Sequence, residues 1–107
     1  MIHKLRNVTI LMLFAFFVAQ AQTNQEVTAE QRKQANEFYM AQNWTKSAEA
    51  YEAISKAEPQ NANALYRAGY SLHNLKQYKQ AIDAYERSEK ISSNQFVTYN
   101  LACAYAL

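Results

Sequence analysis

The chain repeats itself every 34 residues. Ala50-Tyr51-Glu52 returns as Ala84-Tyr85-Glu86, Trp44 as Tyr78, Ser47 as Ala81, Ala48 as Ile82 and Lys56 as Lys90. Upstream of these, Ala35 returns as Gly69 and Phe38 as Leu72. A third copy starts near Asn94, one residue early, so that Gly69 corresponds to Ala102. A period of this length restricts the chain to a stack of small supersecondary units, each covering the apolar face of its neighbour.

Inside each copy the apolar positions follow a helical period. Leu65, Ala68, Gly69, Leu72 and Leu75 fall on one helix face, and Tyr78, Ala81, Ile82 and Tyr85 on another. Trp44, Ser47, Ala48 and Tyr51 trace the same face one period earlier. Thr28 followed by Gln31 has the spacing of a capping box, Asn61 and Asn94 suit helix N-caps, and Pro59 ends the helix before it. Gly69 and Pro59 are the only glycine and proline in the chain, too few for the turns of a sheet protein. Each unit therefore reads as two helices joined by a tight turn, within one domain.

At this point the residues resemble a known family. Leu65-Tyr66-Arg67-Ala68-Gly69-Tyr70-Ser71-Leu72 is similar to the first helix of the tetratricopeptide repeat, and Tyr78-Lys79-Gln80-Ala81-Ile82-Asp83-Ala84-Tyr85-Glu86 to the second. Trp44 through Pro59 is similar to a second helix with its closing proline, and Tyr99 through Leu107 to the first helix of a third repeat. The resemblance covers Thr28 to Leu107. It implies an all-α, tetratricopeptide-like helix-turn-helix solenoid of about two and a half repeats, at residues 28–60, 61–93 and 94–107. Three positions depart from the pattern: Gln34 replaces a leucine, Leu72 replaces the first-helix aromatic, and Lys76 replaces the inter-helix glycine. Close crossing of the helices explains the small residues, with Gly69 and Ala81 admitting the bulk of Tyr85 and Trp44. Both aromatics are expected to be buried.

The N-terminus reads differently. His3, Lys4 and Arg6 form a basic start, Val8 to Ala19 is apolar except for Thr9, and Ala19-Gln20-Ala21 offers a small-x-small cleavage pattern. That order is the signature of a secretory signal peptide over residues 1–21, with a polar leader over 22–27. The apolar run is shorter than the ~20 residues that span a bilayer, so membrane attachment is expected only if the segment is retained. No cysteine near the cleavage site invites lipid modification. The expected location is the periplasm of a bacterium, or the medium.

In the family resembled, the first helices line a concave surface that binds proteins or peptides. The second copy places Tyr66, Tyr70, His73 and Asn74 on a face offset from the Leu65-Ala68-Leu72 stripe, mixing aromatic area with polar tips. The equivalent face offers Arg32, Asn36, Tyr39 and Met40 in the first copy, and Tyr99 and Cys103 in the third. The competing reading is that these tyrosines only pack between helices. Some family members grip a peptide's terminal carboxylate here. Arg32 and Asn36 would supply half of such a clamp, but Arg67 and Phe96 do not continue it.

Other chemistries find no support. Eleven basic residues face nine acidic ones, and setting aside Lys4 and Arg6 leaves the two signs equal, with no basic stripe for nucleic acid. His73 is the only histidine beyond His3, and Cys103 the only cysteine, so no metal-ligand cluster is expected. A single glycine rules out a phosphate-cradling loop, and no nucleophile–base pairing is apparent. Neither cofactor nor catalysis is expected. Asn43-Trp44-Thr45 matches a glycosylation sequon at a site expected to be buried. Glu52 and Lys56 are spaced for a weak surface ion pair.

The favoured reading is an exported scaffold that binds protein or peptide. The alternative is the N-terminal interaction region of a longer exported enzyme or envelope protein, its active domain lying beyond Leu107. A third is a membrane-tethered assembly factor that keeps its first segment. Both the alternative and the possibility of self-association rest on Ala102 to Leu107, an uncharged stretch expected to leave an apolar edge bare.

Overall fold

The computed structural model describes residues 25–107, and every regular element in them is α-helical. The expected signal peptide, and the leader before Gln25, lie outside the described residues. Five helices follow in order: α1 (Ala29–Met40), α2 (Trp44–Ala57), α3 (Ala62–Asn74), α4 (Tyr78–Ile91) and α5 (Gln95–Tyr105). Each packs on the next in sequence, and α3 also touches α5. The odd-numbered helices form one layer and the even-numbered ones the other, the helix-turn-helix array of a tetratricopeptide-like solenoid. Among the described residues no helix is long and apolar enough to cross a membrane.

Helix starts follow the expected caps. Thr28 and Gln31 form a reciprocal capping box, the Gln31 amide donating to Thr28 Oγ1 at 3.1 Å and the Thr28 amide to Gln31 Oε1 at 2.8 Å. Asn61 and Asn94 cap α3 and α5 through their side-chain carbonyls. Asn43 does the same for α2, accepting from the Lys46 amide at 3.3 Å. The residue read as a sequon asparagine is thus a cap, and Trp44 behind it is half-buried rather than buried. Glu58, the residue before Pro59, ends α2, its amide donating to the Ile54 carbonyl.

The turns inside each unit share one geometry. Gln42 and Lys76, 34 residues apart, both adopt the left-handed region, with φ of 59° and 62°. Around them the amides of Gln42 and Asn43 bond back to Tyr39 and Phe38, and those of Lys76 and Gln77 to His73 and Leu72. This is the Schellman closure, usually made with glycine because a Cβ strains it. Lys76 therefore departs from the family's residue without departing from its backbone.

Small residues bring the layers together. Ala35, Ala64, Ala68 and Ala81 are all but fully buried. Ser47 and Ser71, both without exposure, share a 2.8 Å hydrogen bond between α2 and α3. Gly69 lies against the Tyr85 ring so closely that a Cβ there would stand 2.8 Å from Cδ1 and Cε1. The expected fit of Tyr85 against Gly69 is present in the second unit, and the Tyr85 ring has no exposed surface.

Candidate functional site

Tyr39 on α1 and Tyr66 and Tyr70 on α3 build an aromatic wall along the odd-numbered layer. Tyr39 stands edge-on to Trp44 and Tyr51, with ring centroids 5.8 and 6.0 Å away, and 5.9 Å from Tyr70. Tyr70 continues the wall at 5.5 Å from Trp44 and 6.2 Å from Tyr66. Edge-on and tilted approaches let the positive ring edge meet the negative face of its neighbour. Burial raises the pKa of the Tyr39 and Tyr66 hydroxyls, so both stay protonated as donors.

The wall closes around Arg67. Its guanidinium lies 4.6 Å above the Tyr39 ring and 5.5 Å from that of Tyr51. Nη1 donates to Asn36 Oδ1 at 2.8 Å and to the Tyr51 hydroxyl at 2.7 Å, tying α1, α2 and α3 at one point. On the other side Asn100 Nδ2 donates to the Tyr66 hydroxyl at 3.4 Å and to the Phe96 carbonyl at 2.7 Å, linking α5 to α3.

The residues expected on this face have unequal fates. Tyr39, Tyr66 and Tyr70 come together, and Asn36 joins them as the acceptor for Arg67. Arg32 is bound to Glu58 through both nitrogens of its fork, and Asn61 adds a 3.0 Å bond to the same carboxylate. Those bonds, Arg32's first, hold Glu58 down at a pKa of about 2. His73 packs edge-on against Tyr78 at 5.5 Å and lies 6.2 Å from Tyr85. Asn74 is exposed and donates to the Tyr70 carbonyl at 2.8 Å. Tyr99 and Met40 stand in solvent, 69% and 70% exposed, and Cys103 is half-buried.

Sequence reasoning passed over Arg67 because it broke a clamp pattern. The usable sign was different: Arg67 is the only charged residue in α3, a helix without a carboxylate. The expected Glu52–Lys56 pair is replaced by Lys33–Glu37 at 4.0 Å and Arg87–Asp83 at 3.6 Å, at the same four-residue spacing. A cleft of about 610 Å³ lies on the other layer between α2 and α4. Its floor of Leu65, Ala68 and Leu72 is already buried, so it offers little apolar area to a ligand. Among the described residues no cluster of His, Cys, Asp or Glu has the grouping of a metal site.

A family model described as the tetratricopeptide repeat matches residues 32–95, from the first turn of α1 to the start of α5. A search of curated proteins returns no match. Repeats of this family serve as scaffolds for protein–protein interaction. The period, the crossing at Gly69 and the family match agree over the same residues, and on them the chain belongs to the tetratricopeptide repeat family.

Proposed function

We propose that the chain is an exported binding module that holds an extended segment or helix of a partner protein against the layer of α1, α3 and α5, and that it performs no chemistry of its own. The observation that carries this reading is the lining that runs from Asn36 and Tyr39 through Tyr70 and Tyr66 to Asn100. Such a surface pairs aromatic area with polar tips and spans three helices, as peptide grooves do. A photo-crosslinking amino acid placed at Asn74 or Tyr99 should capture a partner that the same probe at Gln80, on α4, does not. Equal capture from both layers would remove the assignment of the face.

Export is supported by the basic, apolar and small-residue order of residues 1–21. An intact mass of the native protein short by the signal segment is the expected result. An unprocessed N-terminus in the membrane fraction would favour the tethered form instead.

A further inference from the structure

We propose that helix α5 is a self-association surface, on which a second copy of this chain packs its own α5 about a two-fold axis near Ala102. The inference goes beyond the binding face on α1 and α3 and does not depend on it.

The first observation is that α5 is apolar on both sides. Val97 and Ala104 face inward and are buried in the cluster that holds Leu72, Ala81 and Tyr85. The opposite side carries Tyr99 and Ala102, both exposed, with Phe96 and Tyr105 at its flanks. Among the described residues five large apolar side chains stand in solvent, and Met40 alone lies outside residues 96–107. Helix α4 behaves otherwise, turning Lys79, Asp83, Arg87 and Lys90 outward. A helix that is apolar all round belongs inside a structure rather than at its surface.

The second observation is charge. Residues 91–107 hold no charged side chain, whereas α1, at the opposite edge of the array, holds Glu30, Arg32, Lys33 and Glu37. A two-fold axis sets each residue near its own copy, so a charge on the face would repel itself. A neutral face meets its copy without that penalty. The carboxylates that reach α5 come from α4 and are engaged there. Glu86 accepts from Tyr105, and Glu89 accepts from Ser93 and Thr98.

The third observation is shape and size. Ala102 corresponds to Gly69, the small residue against which the Tyr85 ring packs. Small residues at the middle of the exposed side let a second helix come close. An antiparallel pair centred there sets Tyr99 of each protomer over the small Ala106 of the other. Phe96, Tyr99 and Tyr105 are 62%, 69% and 59% exposed, which leaves roughly 400 Å² of aromatic side chain to cover. With Gln95, Thr98, Ala102 and Ala106 around them, the contact approaches the ~800 Å² per partner of a stable interface.

The test is sedimentation equilibrium of the full chain under reducing conditions, which keep Cys103 from forming a disulfide. The expected result is a mass that rises from one copy to two at micromolar concentrations and stops there. Ala102→Lys and Ala102→Glu each set like charges across the axis and should weaken association about tenfold or more. An equimolar mixture of the two should recover it, because opposite charges then meet at the axis. Met40→Lys, equally exposed but off the face, should leave the dimer unchanged. Should a charge at position 102 loosen α5 itself, seen as a lower melting temperature, Tyr99→Lys repeats the first arm on the same face. A chain that stays monomeric, or a dimer indifferent to these substitutions, would overturn the proposal. So would a mass that keeps growing, or variants that the mixture does not rescue, since each describes a contact between unlike faces. A second copy captured by a probe at Tyr99 belongs to this contact, and a different protein captured at Asn74 to the binding face, so either reading can fail alone.

Discussion

Tyr51 and Tyr85 occupy the same place in successive units, yet their hydroxyls meet opposite fates, and a pair of one-atom deletions exposes the difference. The rings are 5% and 0% exposed. The Tyr51 hydroxyl accepts a 2.7 Å bond from Arg67, while the Tyr85 hydroxyl is buried with no partner. The cause lies in the third copy. Allowing for its one-residue shift, Arg67 corresponds to Asn100, whose shorter side chain turns to Tyr66 and Phe96 instead. Burial raises the Tyr85 pKa far above the phenol range, which keeps the unpaired hydroxyl neutral. Tyr51→Phe removes a bond to a charged donor, of the kind worth about 1.5–3 kcal/mol, so a loss of about 1–2 kcal/mol is expected at this partly exposed arginine. Tyr85→Phe removes a group whose unsatisfied burial costs about 1–3 kcal/mol, so it should leave stability unchanged or raise it by about 1 kcal/mol. Urea unfolding with a shared slope gives both values. The opposed signs are the test. If Tyr85→Phe destabilises as much as Tyr51→Phe, the Tyr85 hydroxyl makes a bond in solution, to an internal water for example, and the reasoning fails.

Three further outcomes follow from the geometry. Gly69→Ala sets a methyl 2.8 Å from a buried ring that cannot move aside, so despite its better helix propensity it should destabilise by about 1–3 kcal/mol in thermal melts. Lys76→Gly relieves a left-handed residue and should stabilise by about 0.5–1 kcal/mol, with Gln42→Gly acting alike; a loss at both sites would mean that the side chains matter more than the backbone. Glu58 has its pKa lowered from 4.5 to about 2, so the stability it adds is fully present above pH 4.5 and disappears as pH falls through 2. Melting temperatures of wild type and Arg32→Ala should therefore converge across that window, and a gap that persists at its acid end would assign Arg32 a role other than the pair.

Much of this architecture was legible because it is periodic. The 34-residue repeat set the number of helices, and the apolar spacing set which faces meet, as Ala68, Gly69 and Leu72 show. Caps were legible where the asparagine or threonine stood before an apolar run, as at Thr28, Asn61 and Asn94. Asn43 was missed because a second pattern overlay it. The turn at Lys76 was legible only as the place of a missing family glycine, and the one at Gln42 was hidden because glycine, which usually marks such a turn, is absent there. Pairings between helices escaped for a different reason. The partners Arg32 and Glu58, Ser47 and Ser71, or Arg67 and Asn36 lie 24 to 31 residues apart. Which of many polar residues meet at that separation depends on helix crossing, not on local spacing. The same limit applied to the site, where the tyrosines were found by their shared face and Arg67 was not.

The helices pack on the next in sequence and on the next in their layer, and that has a kinetic consequence. The first and last helices are not packed on each other, so opening need not be all-or-none and should spread inward from the outermost helices. Helix α3, gripped by α2, α4 and α5, would then be the last to exchange its amide hydrogens, and α1, packed chiefly on α2, among the first. Arg67, Tyr66 and Tyr70 sit on the slowest part of the molecule, while Tyr39 and Tyr99 are carried on its two fraying margins. A bound segment can in that case be released by the loosening of one flank, while the platform beneath it stays folded and ready for the next.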